Sequence, residues 1–362
     1  MFLRSIKMAT EQAAKRLKPN DFQPCPLIGT HNGHFHADEA LAVYLLRLLP
    51  TYNPSNLVRT RDPAVLSTCH TVVDVGGEYT PQCYRFDHHQ RTFSTTFPSR
   101  PTKLSSAGLV YMHFGKAIIA QHTKLPEESQ EVGLLYQKLY LDFVEALDAN
   151  DNGISAYDPA TTKGLEKRFN DSGVSLGALV GDLNWHYDEQ DEQKTAEQAQ
   201  AEEDKRFLEA SSLMGRTFVR KLDYSWKAWL PARNLVRETY TKRQEWDDKG
   251  RIMLFSKGCP WKDHLYTIEA EDDSPALEKV LYVLYPENEN EDSKWRIQAV
   301  AVSKDSFESR KALPQAWRGV RDDELSKLTG IEGCIFVHAS GFIGGNATKA
   351  GALQMAQKAL GK

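Results

Sequence analysis

The sequence predicts an α/β protein in two parts: an N-terminal domain built on a parallel sheet and a smaller α+β C-terminal domain. Three observations carry this. Short apolar runs alternate with helical patterns from residue 25 to about 147, the signature of parallel strands joined by crossover helices. A stretch almost free of apolar side chains, 188–206 (DEQDEQKTAEQAQAEEDKR), interrupts the chain, and strand-like runs resume beyond it. At 362 residues, 41% hydrophobic and 26% charged, the chain is long enough for two cores and unlike a disordered or fibrous one.

Taken in order, residues 1–24 set Arg4, Lys7, Lys15, Arg16 and Lys18 against Glu11 and Asp21. Such a tail reads as a mitochondrial presequence, a nuclear-import patch at Lys15–Lys18, or simply a solvated end. Met8 as an internal start would permit two destinations, mitochondrion and nucleus. The first domain spans 25–187, with strands at 25–30, 71–77 and 83–89 and helices at 38–49, 106–121 and 131–147. Residues 188–215 read as a helical linker. The second domain, 216–362, shows strand-like runs at 250–256, 265–270, 279–285 and 295–302, then a Gly-rich element and a helix near 347–360. Five cysteines, odd in number and never in a CxxC pair, argue for free thiols rather than a disulfide framework or structural zinc. No apolar run approaches the roughly 20 residues that cross a bilayer.

Histidine placement is the first departure from the average. Six of the eleven histidines (His31, His34, His36, His70, His88, His89) fall between 31 and 89. The first strand ends on His31-Asn32-Gly33-His34-Phe35-His36-Ala37-Asp38-Glu39; Asp74 precedes Gly76-Gly77; Asp87-His88-His89 closes the third strand; and Asp148 and Asp151 follow an apolar helix. Ligands of α/β sheets bind at the carboxyl ends of strands. Mixed His and Asp donors suit Mn²⁺, Zn²⁺ or Fe²⁺ and also admit Mg²⁺. A two-ion site needs six or more ligands with one carboxylate shared, and these segments supply that number. Each segment alone also has an ordinary reading, Asp38 as a helix-start acid and Asp74 as a turn former.

The motifs HNGHFHADEALA, VVDVGG, YRFDHHQ and LDANDNG, with WRGVRDDELS and FVHASGFIGGN further on, resemble those of the MYG1 (UPF0160) family of the DHH phosphoesterase superfamily, from about residue 26 to the C-terminus. The resemblance implies a metal-dependent hydrolase, a 3′–5′ RNA exonuclease of mitochondrion and nucleus that releases nucleoside monophosphates from single-stranded RNA or short oligonucleotides. It further implies that His31, His36 and Asp74 hold one ion and Asp38, Asp74, His88 and Asp148 the other, two Mn²⁺ or alternatively Mg²⁺. Asp87 would orient an imidazole and His89 would face the scissile phosphate. His36 stands where many DHH enzymes have their first aspartate, which tilts the preference towards Mn²⁺, and either His34 or Asp151 stays open as a replacement for an assigned ligand.

For the substrate end, the run 338–351 resembles the Gly-rich substrate motif of DHH enzymes, which implies His338, Gly344, Gly345 and Asn346 as candidate phosphate binders; glycine admits close backbone approach and a helix start offers free amides. A tight strand-to-helix turn would look the same. Arg318 and Arg321 could clamp phosphate beside Trp317, itself equally a core anchor. Although the whole chain carries a net charge of −4, residues 216–262 hold twelve basic against five acidic side chains with eight aromatic rings among them, a composition that suits single-stranded nucleic acid. Two rivals stay open: a phosphatase of small phosphoanhydride or cyclic-dinucleotide substrates, and a non-catalytic RNA-binding scaffold.

Overall fold

The computed structural model describes residues 26–185, 194–272 and 277–361; the basic tail 1–24, Cys25 and the start of the expected linker lie outside them. The chain divides into two compact units, Met1–Leu222 and Asp223–Lys362.

In the first unit, β1 (Ile28–Thr30), β2 (Leu57–Arg59), β3 (Thr71–Val73), β4 (Tyr79–Thr80) and β5 (Arg85–Phe86) form a sheet ordered β2-β1-β3-β5-β4. Its pairings are parallel except for β4, which runs against β5. Every residue of β1 and β3 is buried, as expected of parallel strands covered on both faces. Helix α1 (Ala37–Arg47) packs on α2 (Ser106–Thr123). Asp38 and Glu39 in the first turn of α1 and Arg47 in its last turn complement the helix dipole. Helices α3 (Gln130–Leu139) and α4 (Glu145–Asp151) are joined by a π turn, Tyr140–Val144. A π turn takes in an extra residue and so rotates every face that follows it.

After α5 (Leu176–Asp182) comes α6 (Ala196–Tyr224). The described part of the linker expected at 188–215 is, from Ala196 on, a helix of the first unit. Its opening turns are nearly free of apolar side chains, but from Phe207 onward it buries Ala210, Met214, Phe218 and Leu222 at helical spacing. The division between units therefore falls near the end of α6 rather than at residue 215.

The second unit has α7 (Leu230–Thr241) and a mixed sheet of β6 (Ile252–Leu254), β7 (Tyr282–Pro286), β8 (Trp295–Ala299), β9 (Cys334–Val337) and β10 (Ile343–Asn346), ordered β6-β7-β8-β10-β9. Only β6 and β7 pair in parallel. One face buries Tyr282, Leu284 and Ile297 with Trp317 and Met355; the other buries Met253 and Val283 with Val236 and Leu265. The strand expected at 265–270 is instead α8 (Lys262–Glu271): Leu265 and Ile268 are buried three residues apart, which favours a helix over the β-propensity of Tyr266-Thr267-Ile268. Helices α9 (Asp322–Thr329) and α10 (Lys349–Leu360) complete the unit. Among the described residues no helix is long and apolar enough to cross a membrane.

Candidate metal centre

The carboxyl ends of β1, β3 and β5 bring the predicted side chains together. His31, directly after β1, points Nε2 at Asp74 Oδ2 (3.3 Å) and at Glu39 Oε1 (3.1 Å). Asp74, directly after β3, gives its other oxygen to His88, whose Nε2 lies 3.3 Å from Asp74 Oδ1 and 3.0 Å from Asp151 Oδ2. Asp74 thus sits between two imidazoles, one oxygen to each. Its backbone is left-handed (φ 58°), with Gly76 and Gly77 also at positive φ. Aspartate tolerates that region better than most residues, at a cost of about 1 kcal/mol, and strain of this kind gathers at functional sites. Ser106, at the start of α2, donates to Asp74 Oδ1 at 3.0 Å.

Three overlapping groups have donor atoms close enough to share an ion: His31, His36, Glu39 and Asp74; Asp74, His88 and His89; and Asp38, His88 and Asp151. They open on a cavity of about 530 Å³ that His34, Asp87, Asn150 and Gly177 also line. His34 is exposed and belongs to none of the groups.

The electrostatics show a centre with too much negative charge and too few partners. Burial alone would lower the pKa of His31, but Asp74 and Glu39 beside it raise it to about 10; Asp151 and Asp74 do the same for His88. Burial would raise Asp74, yet the two imidazoles hold it well below the usual carboxylate range. Asp38 is pushed well above that range, first by burial and then by Asp74 and Asp151. Both oxygens of Asp38, Glu39 Oε2 and His88 Nδ1 are buried without a hydrogen-bond partner. A buried carboxylate left so costs several kcal/mol unless a cation meets it. The donor set fits a divalent metal on that ground.

Asp148 does not join the centre. Its Oδ1 accepts from the Ser105 amide (2.9 Å) and hydroxyl (2.8 Å), and its Oδ2 from the Tyr140 hydroxyl (3.0 Å). A Cβ at Gly108 would lie 2.3 Å from the same carboxylate, so α2 starts against it. Asp151, one turn further along α4, takes the place beside His88 and Asp38 that the sequence reading gave to Asp148. Glu39 is the residue that reading missed: it accepts from the His36 amide (2.7 Å) as a capping box would, and reaches His31 from there. Asp87 accepts from the amides of Gly77, His88 and His89 and from His89 Nδ1 (2.7 Å). That contact raises the pKa of the exposed His89 ring.

The loop carrying His31–His36 is held from far along the chain. Glu203 of α6 accepts from the Gly33 amide (2.7 Å) and from Arg59 Nη1 (2.7 Å), while Arg59 Nη2 donates to the Gly33 carbonyl (2.8 Å). Asn184 accepts from the Phe35 amide and donates to its carbonyl, both at 2.9 Å.

The residues expected to bind substrate in the second unit are mostly committed to the fold. Asn346 is fully buried; its Oδ1 accepts from Thr348 and its Nδ2 donates to the Glu332 carbonyl. Gly344 and Gly345 lie within β10 rather than in a turn, and a Cβ at Gly345 would meet Arg296 Nη1 at 2.4 Å. Trp317 is core, and Arg318 Nε donates to the Leu313 carbonyl. His338 and Arg321 are exposed, the former bonded to Ser340 Oγ (2.9 Å). Of the aromatic rings at 216–262, Phe218, Tyr240, Phe255 and Trp261 are buried, which leaves Tyr224 as the exposed one, with Trp226, Trp229 and Trp246 partly covered.

An α/β unit whose strand ends converge imidazoles and unpartnered carboxylates on one cavity defines a class: proteins with a centre able to hold divalent metal ions. Within that class, this chain belongs to the MYG1 family. The family model described as an uncharacterised protein family (UPF0160) matches residues 27–360. The human MYG1 exonuclease is 46% identical over 344 residues, covering 92% of this chain and 86% of its own. The MYG1 protein of Schizosaccharomyces pombe is 48% identical over 339 residues, covering 92% of this chain and 97% of its own. A solved pGpG-specific phosphodiesterase from Vibrio aligns over 93% of this chain and 97% of its own at 12% identity, with a TM-score of 0.26, too low to relate the two folds in detail.

Proposed function

We propose that this protein is a metal-dependent phosphodiesterase that removes nucleoside monophosphates from the 3′ end of single-stranded RNA or short oligonucleotides, with two Mn²⁺ as the working ions. The observation that carries the metal is Asp38, a buried carboxylate with neither oxygen partnered, facing Asp74, Asp151 and His88. The nucleic-acid substrate is supported by the exonuclease name of a relative 46% identical over most of the chain. His31, His36, Glu39 and Asp74 would hold one ion, and Asp38, Asp74, His88 and Asp151 the other. The nitrogen donors favour Mn²⁺ over Mg²⁺, which prefers oxygen. Bound there, a divalent ion supplies Lewis acidity and charge neutralisation at the scissile phosphate. The chain's own contribution is position and one proton: Asp87 takes His89 Nδ1–H, fixing the ring so that Nε2 can donate to a phosphate oxygen or leaving group.

The test is metal analysis of purified protein followed by Mn²⁺-supplemented digestion of 3′-labelled and 5′-labelled RNA. Early release of the 3′ label as nucleoside monophosphate is expected. Bound metal with no cleavage would overturn the activity, and early release of the 5′ label would overturn the polarity.

A further inference from the structure

We propose that Arg61 forms an anion subsite for a second phosphate of the substrate, beside the one at the metal centre. The proposal rests on the phosphodiesterase reading and adds a substrate requirement to it. Arg61 is the one Lys or Arg among the residues that line the cavity, where Asp38, Asp74, Asp87 and Asp151 supply four carboxylates. It nonetheless has no ion pair among the described residues. Its neighbour Asp62 is engaged elsewhere, accepting from the Ala64 amide at 2.8 Å to cap the short helix Pro63–Leu66.

Topology fixes where this guanidinium stands. The strand order β2-β1-β3-β5 lays four carboxyl ends side by side. Thr30 pairs in register with Arg59, and the Thr60 amide donates to the Thr30 carbonyl at 2.7 Å. Arg61 therefore leaves β2 level with the start of the loop that carries His31. Adjacent strands are about 4.8 Å apart, so the backbone of Arg61 lies one strand away from that of His31 and two from that of Asp74. Along that edge the centre is followed by an exposed guanidinium whose planar fork of donors is the group best shaped for phosphate. A substrate with its scissile phosphate on the His/Asp cluster and a further phosphate on the next nucleotide meets both. A dinucleoside monophosphate, with one phosphate only, leaves Arg61 unused.

The experiment compares dinucleotides carrying an extra terminal phosphate, at either end, with the dinucleoside monophosphate. Wild type is expected to favour a phosphate-bearing form by about tenfold or more in kcat/KM, chiefly through KM, the scale of one charge-assisted hydrogen bond. Arg61→Gln should erase the preference and Arg61→Lys restore part of it, with Mn²⁺ affinity unchanged in both. Calorimetric binding of the same dinucleotides in Ca²⁺ reads the subsite without turnover. Absence of cleavage by wild type would then count against the activity alone. Equal binding of the phosphate-bearing dinucleotide by wild type and Arg61→Gln would overturn the subsite.

Discussion

Two stretches rich in polar residues, the strand ends of the first sheet and the Gly-rich end of β10, look alike in sequence and differ in structure. Around Asp74 several buried polar atoms lack a hydrogen-bond partner: both oxygens of Asp38, Glu39 Oε2 and His88 Nδ1. Around Asn346 every polar atom of the side chain is engaged by Thr348 or Glu332, and Gly351 is needed because a Cβ there would lie 2.2 Å from the amide oxygen. A fold satisfies its own polar groups, so those it leaves buried and unsatisfied are the ones held for something else. Within a single helix, Asp148 is taken up by Ser105 and Tyr140 while Asp151 turns to His88.

The sharpest way to break this contrast is Asp74→Asn. Removing the carboxylate shared by His31 and His88 should lower turnover on RNA by on the order of 10³-fold or more, with weakened Mn²⁺ binding by calorimetry. Activity near wild type would end its central role.

Asp148 offers the next largest effect. Burial pushes its carboxyl up to about 7, against hydrogen bonds from Ser105 and Tyr140 that pull it down. The folded protein then keeps a proton that the unfolded chain loses near its ordinary 3.8. Stability from this group is whole below that value and falls as pH rises towards 7, by up to about 1.4 kcal/mol per pH unit. Asp148→Asn, whose amide still accepts from Ser105 while the Tyr140 hydroxyl turns to accept in its place, should flatten that part of the denaturation-against-pH curve. An unchanged slope would show Asp148 ionised, as a metal ligand would be.

The smallest pair has opposite signs. In metal-free protein, Asn346→Ala should lose about 2–3 kcal/mol by stranding the Glu332 carbonyl and the Thr348 donors. Asp38→Asn should gain about 1–3 kcal/mol by removing a carboxyl whose ionisation burial, Asp74 and Asp151 oppose, and should lose the stabilisation that Mn²⁺ gives wild type. Urea titrations with and without Mn²⁺ check both. Destabilisation of the metal-free protein by Asp38→Asn would mean the fold uses that carboxylate after all.

Much of this was legible in sequence where the signal was local. Strand ends marked by His31, Asp74 and Asp87-His88 could be read because apolar runs of three to seven residues stop at ionisable ones. Asp151 could not be told from Asp148, because the π turn at Tyr140–Val144 rotates α4 by an amount that no periodicity shows. Glu39 carried a faint mark, the third helical position after an N-cap. The grip of α6 on the first loop carried none, since Glu203 stands in a run of charges that reads as a solvated surface. In the second unit, glycines that make room for Arg296 look the same in sequence as glycines that make room for phosphate.

That grip sets a schedule for the protein's birth. Gly33 and Glu203 are 170 residues apart, and chains grow at about 5–20 residues per second, so the first loop waits roughly ten to thirty seconds on the ribosome for its clamp. During that interval His31, His34 and His36 stand in a loop that lacks its Glu203 contact, and the loop takes its described form only once nearly the whole first unit has been made.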